Sequence, residues 1–98
     1  MKKTFPLQIP GQADARVVEA VKNEVRKYVS RERRKTLPEG FDLWNFRCKV
    51  GPDRDGAGDC ELGNLTPAID EVVRARAPAV YVEIMAEPGK RILPSESP

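Results

Sequence analysis

Two segments of this chain, Phe41 to Val50 and Asp59 to Leu62, fall into one cross-strand register around the turn-rich stretch between them. In the first, Trp44, Phe46, Cys48 and Val50 alternate with Asn45, Arg47 and Lys49, the period of a strand with one buried face. The connecting run Gly51-Pro52-Asp53-Arg54-Asp55-Gly56-Ala57-Gly58 is dense in turn formers. Centring the turn on Arg54 places Cys48 opposite Cys60 and Phe46 opposite Leu62 on the apolar side. The same choice sets Arg47 against Glu61 and Lys49 against Asp59 on the polar side. Apolar pairs and opposite charges are what cross-strand neighbours require, so the segment is expected to form a β-hairpin with both cysteines facing the core.

The rest of the chain must be arranged around that hairpin. Phe5, Leu7 and Ile9 alternate along Thr4 to Ile9, giving a first strand that ends at Pro10-Gly11. Pro6 cannot donate to a ladder, which favours an edge position. A helix is expected from about Ala15 to Lys35 with Asp14 as its N-cap. Its apolar stripe is Val17, Val18, Val21, Val25, Tyr28 and Val29, and Leu37-Pro38 ends it. Thr66-Pro67 opens a second, short helix with Leu65, Ile69, Val72 and Val73 inward. Val80, Val82 and Ile84 then mark the core side of a last strand over Ala79 to Ala86.

The order strand, helix, strand, strand, helix, strand is that of the split βαβ arrangement. The expected fold is α+β, a two-layer sandwich with ferredoxin-like βαββαβ connectivity and two helices on one face of an antiparallel sheet. Should the Cys60 segment be a loop, a three-stranded βαβαβ sheet remains. The expected core comprises Phe5, Leu7, Val21, Val25, Trp44, Phe46, Ile69, Val73, Val82 and Ile84. Ninety-eight residues suffice for one domain without metal or disulfide staples. That domain is placed at 1–89, with 90–98 as a mobile tail.

Charge is unevenly spread. Between Lys22 and Lys35 lie seven basic and two acidic side chains, a local charge of +5, although the whole chain carries only +2. A helix of this length reaches roughly 31 Å and a six-residue strand about 20 Å. The last turn and a half should therefore overhang the core and carry Arg31, Arg33, Arg34 and Lys35 into solvent. Lys27, Arg31 and Arg34 share one flank, with Arg16 on the same side further up. These side chains suit phosphates of a nucleic acid, RNA in particular. They would equally make a solvated helix end that complements the macrodipole, with Glu32 and Glu24 pairing locally with Lys35 and Lys27.

Other chemistries are weakly supported. The chain has two cysteines and no histidine, a poor basis for zinc and for His-dependent nucleophiles. Cys48 and Cys60 are expected as reduced core thiols. The acidic loop from Asp53 matches a calcium loop at position 6 (Gly58) but fails at Ala57 and Asn64. Glu32 and Asp42 read as members of an ion-pair cluster rather than an acid–base pair. On the open sheet face only Tyr81 is aromatic, which disfavours an RNA-recognition-motif surface; Tyr81 and Met85 are candidates for a protein interface instead. Apolar runs are too short to span a bilayer, and Met1-Lys2-Lys3 leads into no apolar signal segment, so a cytoplasmic protein is expected.

The block Arg26-Lys27-Tyr28, Arg31-Glu32-Arg33-Arg34-Lys35, Leu37-Pro38-Glu39-Gly40, Asp42, Trp44, Phe46 and Cys48 resembles a family of roughly hundred-residue bacterial proteins known only as a domain of unknown function. The resemblance runs from about Lys3 to about Arg91 and thins out between residues 51 and 60. It implies a compact bacterial domain and brings no activity, cofactor or catalytic residue with it. The sequence thus points to a non-enzymatic protein without cofactor or metal that contacts nucleic acid through Arg16, Lys27, Arg31, Arg33, Arg34 and Lys35. The competing expectation is a homo-oligomer or an adaptor for an acidic protein partner.

Overall fold

Alternation in the 43–51 segment produces the central strand of the sheet, and its two neighbours differ greatly in length. In the computed structural model, which describes residues 1–90, strand β1 (Lys2–Pro6) is followed by helix α1 (Asp14–Arg33), β2 (Leu43–Gly51) and β3 (Gly58–Cys60). A 3-10 turn (Leu62–Asn64), helix α2 (Leu65–Arg74) and β4 (Ala79–Gly89) complete the chain. The strands lie in the order β1-β4-β2-β3 and every pair is antiparallel. The α+β class, the four-stranded antiparallel sheet and the two helices are as expected. Pairing of β3 removes the three-stranded alternative. Each helix links two strands that are separated in the sheet by one other, β4 in the first case and β2 in the second.

The hairpin register holds where the strands pair: Cys48 stands opposite Cys60 and Lys49 opposite Asp59. It stops there. Glu61 precedes the 3-10 turn and Leu62 opens it, so the expected pairs Arg47–Glu61 and Phe46–Leu62 do not form. Leu62 turns inward to pack against the core, while Arg47 reaches across to Glu87 on β4 at 3.7 Å.

Strand β4 runs on to Gly89, past the expected end at Ala86. Beyond Ile84, its side towards β1 has no strand partner among the described residues, so Pro88 breaks no ladder hydrogen bond on that edge. Strand β1 ends at Pro6 rather than Ile9, after which the Leu7 amide donates to the Pro78 carbonyl at 2.9 Å. Gly11 then takes φ +82°, a left-handed conformation open to glycine at little cost.

Helix α1 starts at Asp14 itself, with Ala13 in the capping position, so Asp14 favours the helix by its charge rather than as a side-chain cap. Val17, Val21, Val25 and Val29 form its buried stripe. Helix α2 buries Leu65, Ile69 and Val72 and leaves Val73 half-buried. It ends in a Schellman closure: the Arg76 amide donates to Val73 and the Ala77 amide to Val72, with Arg76 at φ +59°. Lys22 of α1 and Asp70 of α2 join the helices at 2.7 Å.

Both helical stripes meet one set of strand residues, Phe5, Cys48, Val50, Val80, Val82 and Ile84. Val80, Val82 and Ile84 are fully buried, each worth about 1.5–3 kcal/mol of hydrophobic stabilisation. Trp44 does not join this centre as expected and is half-buried; Phe46, also half-buried, packs against its margin. The reason is strand length. Strands β2 and β4 pair from Leu43–Gly89 to Gly51–Tyr81, but β1 flanks only Ala79–Glu83 and β3 only Cys48–Val50. The 43–47 and 85–89 halves therefore project as a two-stranded ribbon beyond the four-stranded centre. Among the described residues no helix is long and apolar enough to cross a membrane.

Candidate nucleic-acid interface

The ribbon reshapes the basic end of α1. An eleven-residue β4 reaches about 36 Å, longer than the roughly 30 Å of the helix, so the end of α1 does not overhang empty space. It rests on the ribbon. The guanidinium carbon of Arg33 lies 5.6 Å from the centroid of the Phe46 ring, within range of a cation–π contact. One step beyond, the Trp44 indole Nε1 donates to the Lys35 carbonyl at 3.0 Å. Lys35 lies just past the C-cap Arg34, so this bond ties the segment leaving α1 to the ribbon and restrains the indole.

On the outward side of α1, Arg31 lies 5.7 Å from the centroid of the Tyr28 ring. Arg31, Arg33, Arg34 and Lys35 are all exposed, as are Lys27 and Arg16. Among the described residues no carboxylate lies within ion-pair distance of Arg16, Lys27, Arg31, Arg33 or Arg34. Lys35 differs, because its ammonium pairs with Glu32 at 2.5 Å. Glu24 pairs with Lys3 of β1 at 2.6 Å rather than with Lys27.

Glu32 is the acidic centre of this end. It accepts from the Tyr28 hydroxyl at 3.2 Å, and the Met1 ammonium donates to that hydroxyl at 3.0 Å. The hydrogen bond from Lys35 holds the Glu32 carboxyl below the usual carboxylate range, aided by the charge of Lys35 and by the Tyr28 hydroxyl, against partial burial. Burial, and then the charge of Glu32, push the Tyr28 phenol up. Glu32 is thus kept ionised and engaged within the fold, while the outer arginines stay available.

The structure brings four of the six predicted contact residues together. Arg31, Arg33, Arg34 and Lys35 gather around the helix end, and Lys27 follows on the flank of Arg31. Arg16 sits near the other end of α1, about 22 Å along the axis from Arg31, outside any single cluster. Sequence reasoning missed the two aromatic rings beside the cations, having assigned Trp44 and Phe46 to the core. The signal was available: the alternating run of β2 is much longer than the segment 59–62 that was to pair with it.

The open sheet face offers different chemistry. Lys2, Glu83, Lys49 and Asp59 stand side by side across all four strands, an alternating row that neutralises itself. A shallow depression on this side is lined by Arg47, Lys49, Asp59, Glu83, Met85 and Glu87 among others, with more acid than base. Tyr81, expected as an exposed interface residue, is only 4% exposed. Its neighbour Gly51 is overlain by the backbone of Gly56 and Ala57, and its hydroxyl donates to Glu83 at 2.8 Å. That bond raises the Tyr81 phenol and lowers the Glu83 carboxyl. Met85 is exposed as expected, at 44%.

The loop that superficially suggested calcium is a turn in which the Asp53 carboxylate accepts from the Gly56 amide at 2.6 Å. Among the described residues no group of three acidic or thiol side chains comes together as a metal site would need.

Residues 1–94 match the profile of a Family of unknown function (DUF6172). No curated protein and no solved structure matches the chain.

Proposed function

We propose, for a chain that belongs to the DUF6172 family of unknown function, a non-enzymatic role in contacting nucleic acid, RNA by preference, through the C-terminal end of α1. One observation carries this reading. Arg31, Arg33 and Arg34 are exposed and, among the described residues, unpaired with any carboxylate, on a helix end that also presents half-buried aromatic rings. Guanidinium groups without a carboxylate partner keep their N–H donors for phosphate oxygens. The self-neutralised open face offers phosphates far less.

The test is fluorescence anisotropy of a labelled RNA across a salt series. Binding should weaken as salt rises, the logarithm of the affinity falling by about 0.7 per phosphate neutralised for each tenfold increase. The double reversal Arg31→Glu, Arg34→Glu should abolish binding, since attraction becomes repulsion on the contact face. Unchanged binding by that variant would overturn the proposal.

A second reading is favoured by the ribbon. Among the described residues, the outer edges of Leu43–Arg47 and Met85–Gly89 lack strand partners, and Met85 lies exposed beside them. Free strand edges pair readily with another chain. A second copy or an acidic protein would use that edge together with the basic helix end. Size-exclusion chromatography with light scattering distinguishes a second copy from a monomer.

A further inference from the structure

The aromatic rings at the helix end narrow the form of nucleic acid. Resting on the nucleic-acid reading above, we propose that this end takes single-stranded RNA, with an unpaired base stacked on the indole of Trp44 and the flanking phosphates held by Arg31, Arg33 and Arg34.

Three features support a stacking position. Trp44 stands on the ribbon outside the packed centre and is only half-buried, although tryptophan is the side chain with most to gain from burial. Its N–H is already committed to the Lys35 carbonyl, so the ring is restrained before any ligand arrives and loses less freedom on binding. Cations without carboxylate partners among the described residues adjoin its contacts: Arg33 lies over Phe46, two residues along the same face of β2, and Arg34 precedes Lys35, whose carbonyl takes the indole N–H. Phe41, 42% exposed, lies at the same end, where the following residue donates its amide to the Gly89 carbonyl.

A duplex uses this combination poorly. Its bases are stacked on one another and cannot reach a side-chain ring, so it would engage the arginines alone. Single strands gain both terms, with aromatic stacking tolerant of sequence because every base has a π-face. Weak sequence preference is therefore expected, together with a clear preference for unpaired over paired RNA.

Trp44 is the sole tryptophan in the chain, so its emission reports directly on the site. The experiment titrates the full chain with a mixed-sequence single-stranded 12-mer RNA, with the duplex formed from it, and with heparin, a polyanion without bases. The single strand should quench Trp44 emission and bind at least about tenfold more tightly than the duplex at equal salt, a modest stacking contribution. Heparin should bind without quenching. Trp44→Leu should lose the preference for the single strand and keep residual affinity for all three polyanions.

Equal affinity for single strand and duplex with no quenching would overturn this inference while leaving the nucleic-acid reading intact, provided the Arg31→Glu, Arg34→Glu variant still loses all binding. Indifference of every ligand to that double reversal would remove both. If Trp44→Leu fails to fold, the quenching and affinity ratio of the unaltered protein still decide.

Discussion

Cys48 and Cys60 stand directly opposite one another across the β2–β3 ladder, both as free thiols, with Cys48 buried and Cys60 half-buried on the same core side. Burial first, and then the neighbouring Cys60, push the Cys48 thiol up to about 11. Burial and the charge of Asp59 raise Cys60 as well. Since the thiolate is the nucleophile, both should react slowly with iodoacetamide. At pH 8 only roughly a thousandth of Cys48 is ionised. Peptide mass spectrometry should find Cys60 alkylated well before Cys48, with Cys48 protected until the protein unfolds. Faster labelling of Cys48 would contradict the arrangement.

Gly51 closes the other end of the hairpin. A methyl group there would lie 2.6 Å from the Ala57 Cα and 2.6 Å from the Gly56 carbonyl oxygen. Both are backbone atoms that no rotamer change can move aside. Gly51→Ala should cost about 1–3 kcal/mol, the usual range for overpacking, read as a lower urea midpoint at unchanged slope. The same change at Gly58, where a Cβ meets nothing within 4 Å, serves as the control.

Arg76 holds the left-handed position of the α2 closure at φ +59°. A non-glycine residue pays about 1–2 kcal/mol for that conformation, partly offset by the greater unfolded-state entropy of glycine. Arg76→Gly should therefore raise stability by up to about 1 kcal/mol, visible as a higher Tm. A loss of stability would mean that the Arg76 side chain contributes to the fold through its own contacts.

Glu32 should dominate the acid limb of stability at the helix end. Its folded pKa is lowered, so its contribution is fully present above the ordinary carboxylate value and is lost as pH falls through the lower folded value. Thermal unfolding followed from pH 6 to pH 3 should show this loss, and Glu32→Gln should flatten it. Tyr28 acts in the opposite sense. Its raised phenol contributes below the ordinary tyrosine value, and the contribution disappears as pH rises through the folded one.

The outer arginines are expected to matter little for folding. Arg31→Glu with Arg34→Glu alters exposed groups without carboxylate partners among the described residues, a setting worth about 0–1 kcal/mol. Differential scanning calorimetry should show a Tm change below about 5 °C. A larger drop would identify the basic run as a brace of the fold.

Much of this architecture can be read from local pattern. The period-two alternation of β2, the valine stripe of α1 and the turn-forming run at 51–58 identify their own elements. The hairpin centre pairs Cys48 with Cys60 because charge and hydrophobicity on both faces admit few registers. The exposure of Arg31, Arg33, Arg34 and Lys35 follows as well, since the apolar stripe ends at Val29. The domain expected at 1–89 lies within the described residues, and the expected tail, apart from Lys90, lies outside them.

Three features were set by tertiary structure alone. Which strands neighbour one another, β4 and β2 inside with β1 and β3 at the edges, depends on how the crossovers pack, and no local period encodes it. Tyr81 is covered because the 52–57 loop folds back over Gly51, a long-range approach invisible to an alternation that marks the position only as outward. Trp44 stays outside the core, and Phe46 reaches only its margin, because β2 and β4 outrun their partners. Alternation specifies the face on which a side chain lies; the lengths of neighbouring strands determine whether anything stands there to bury it.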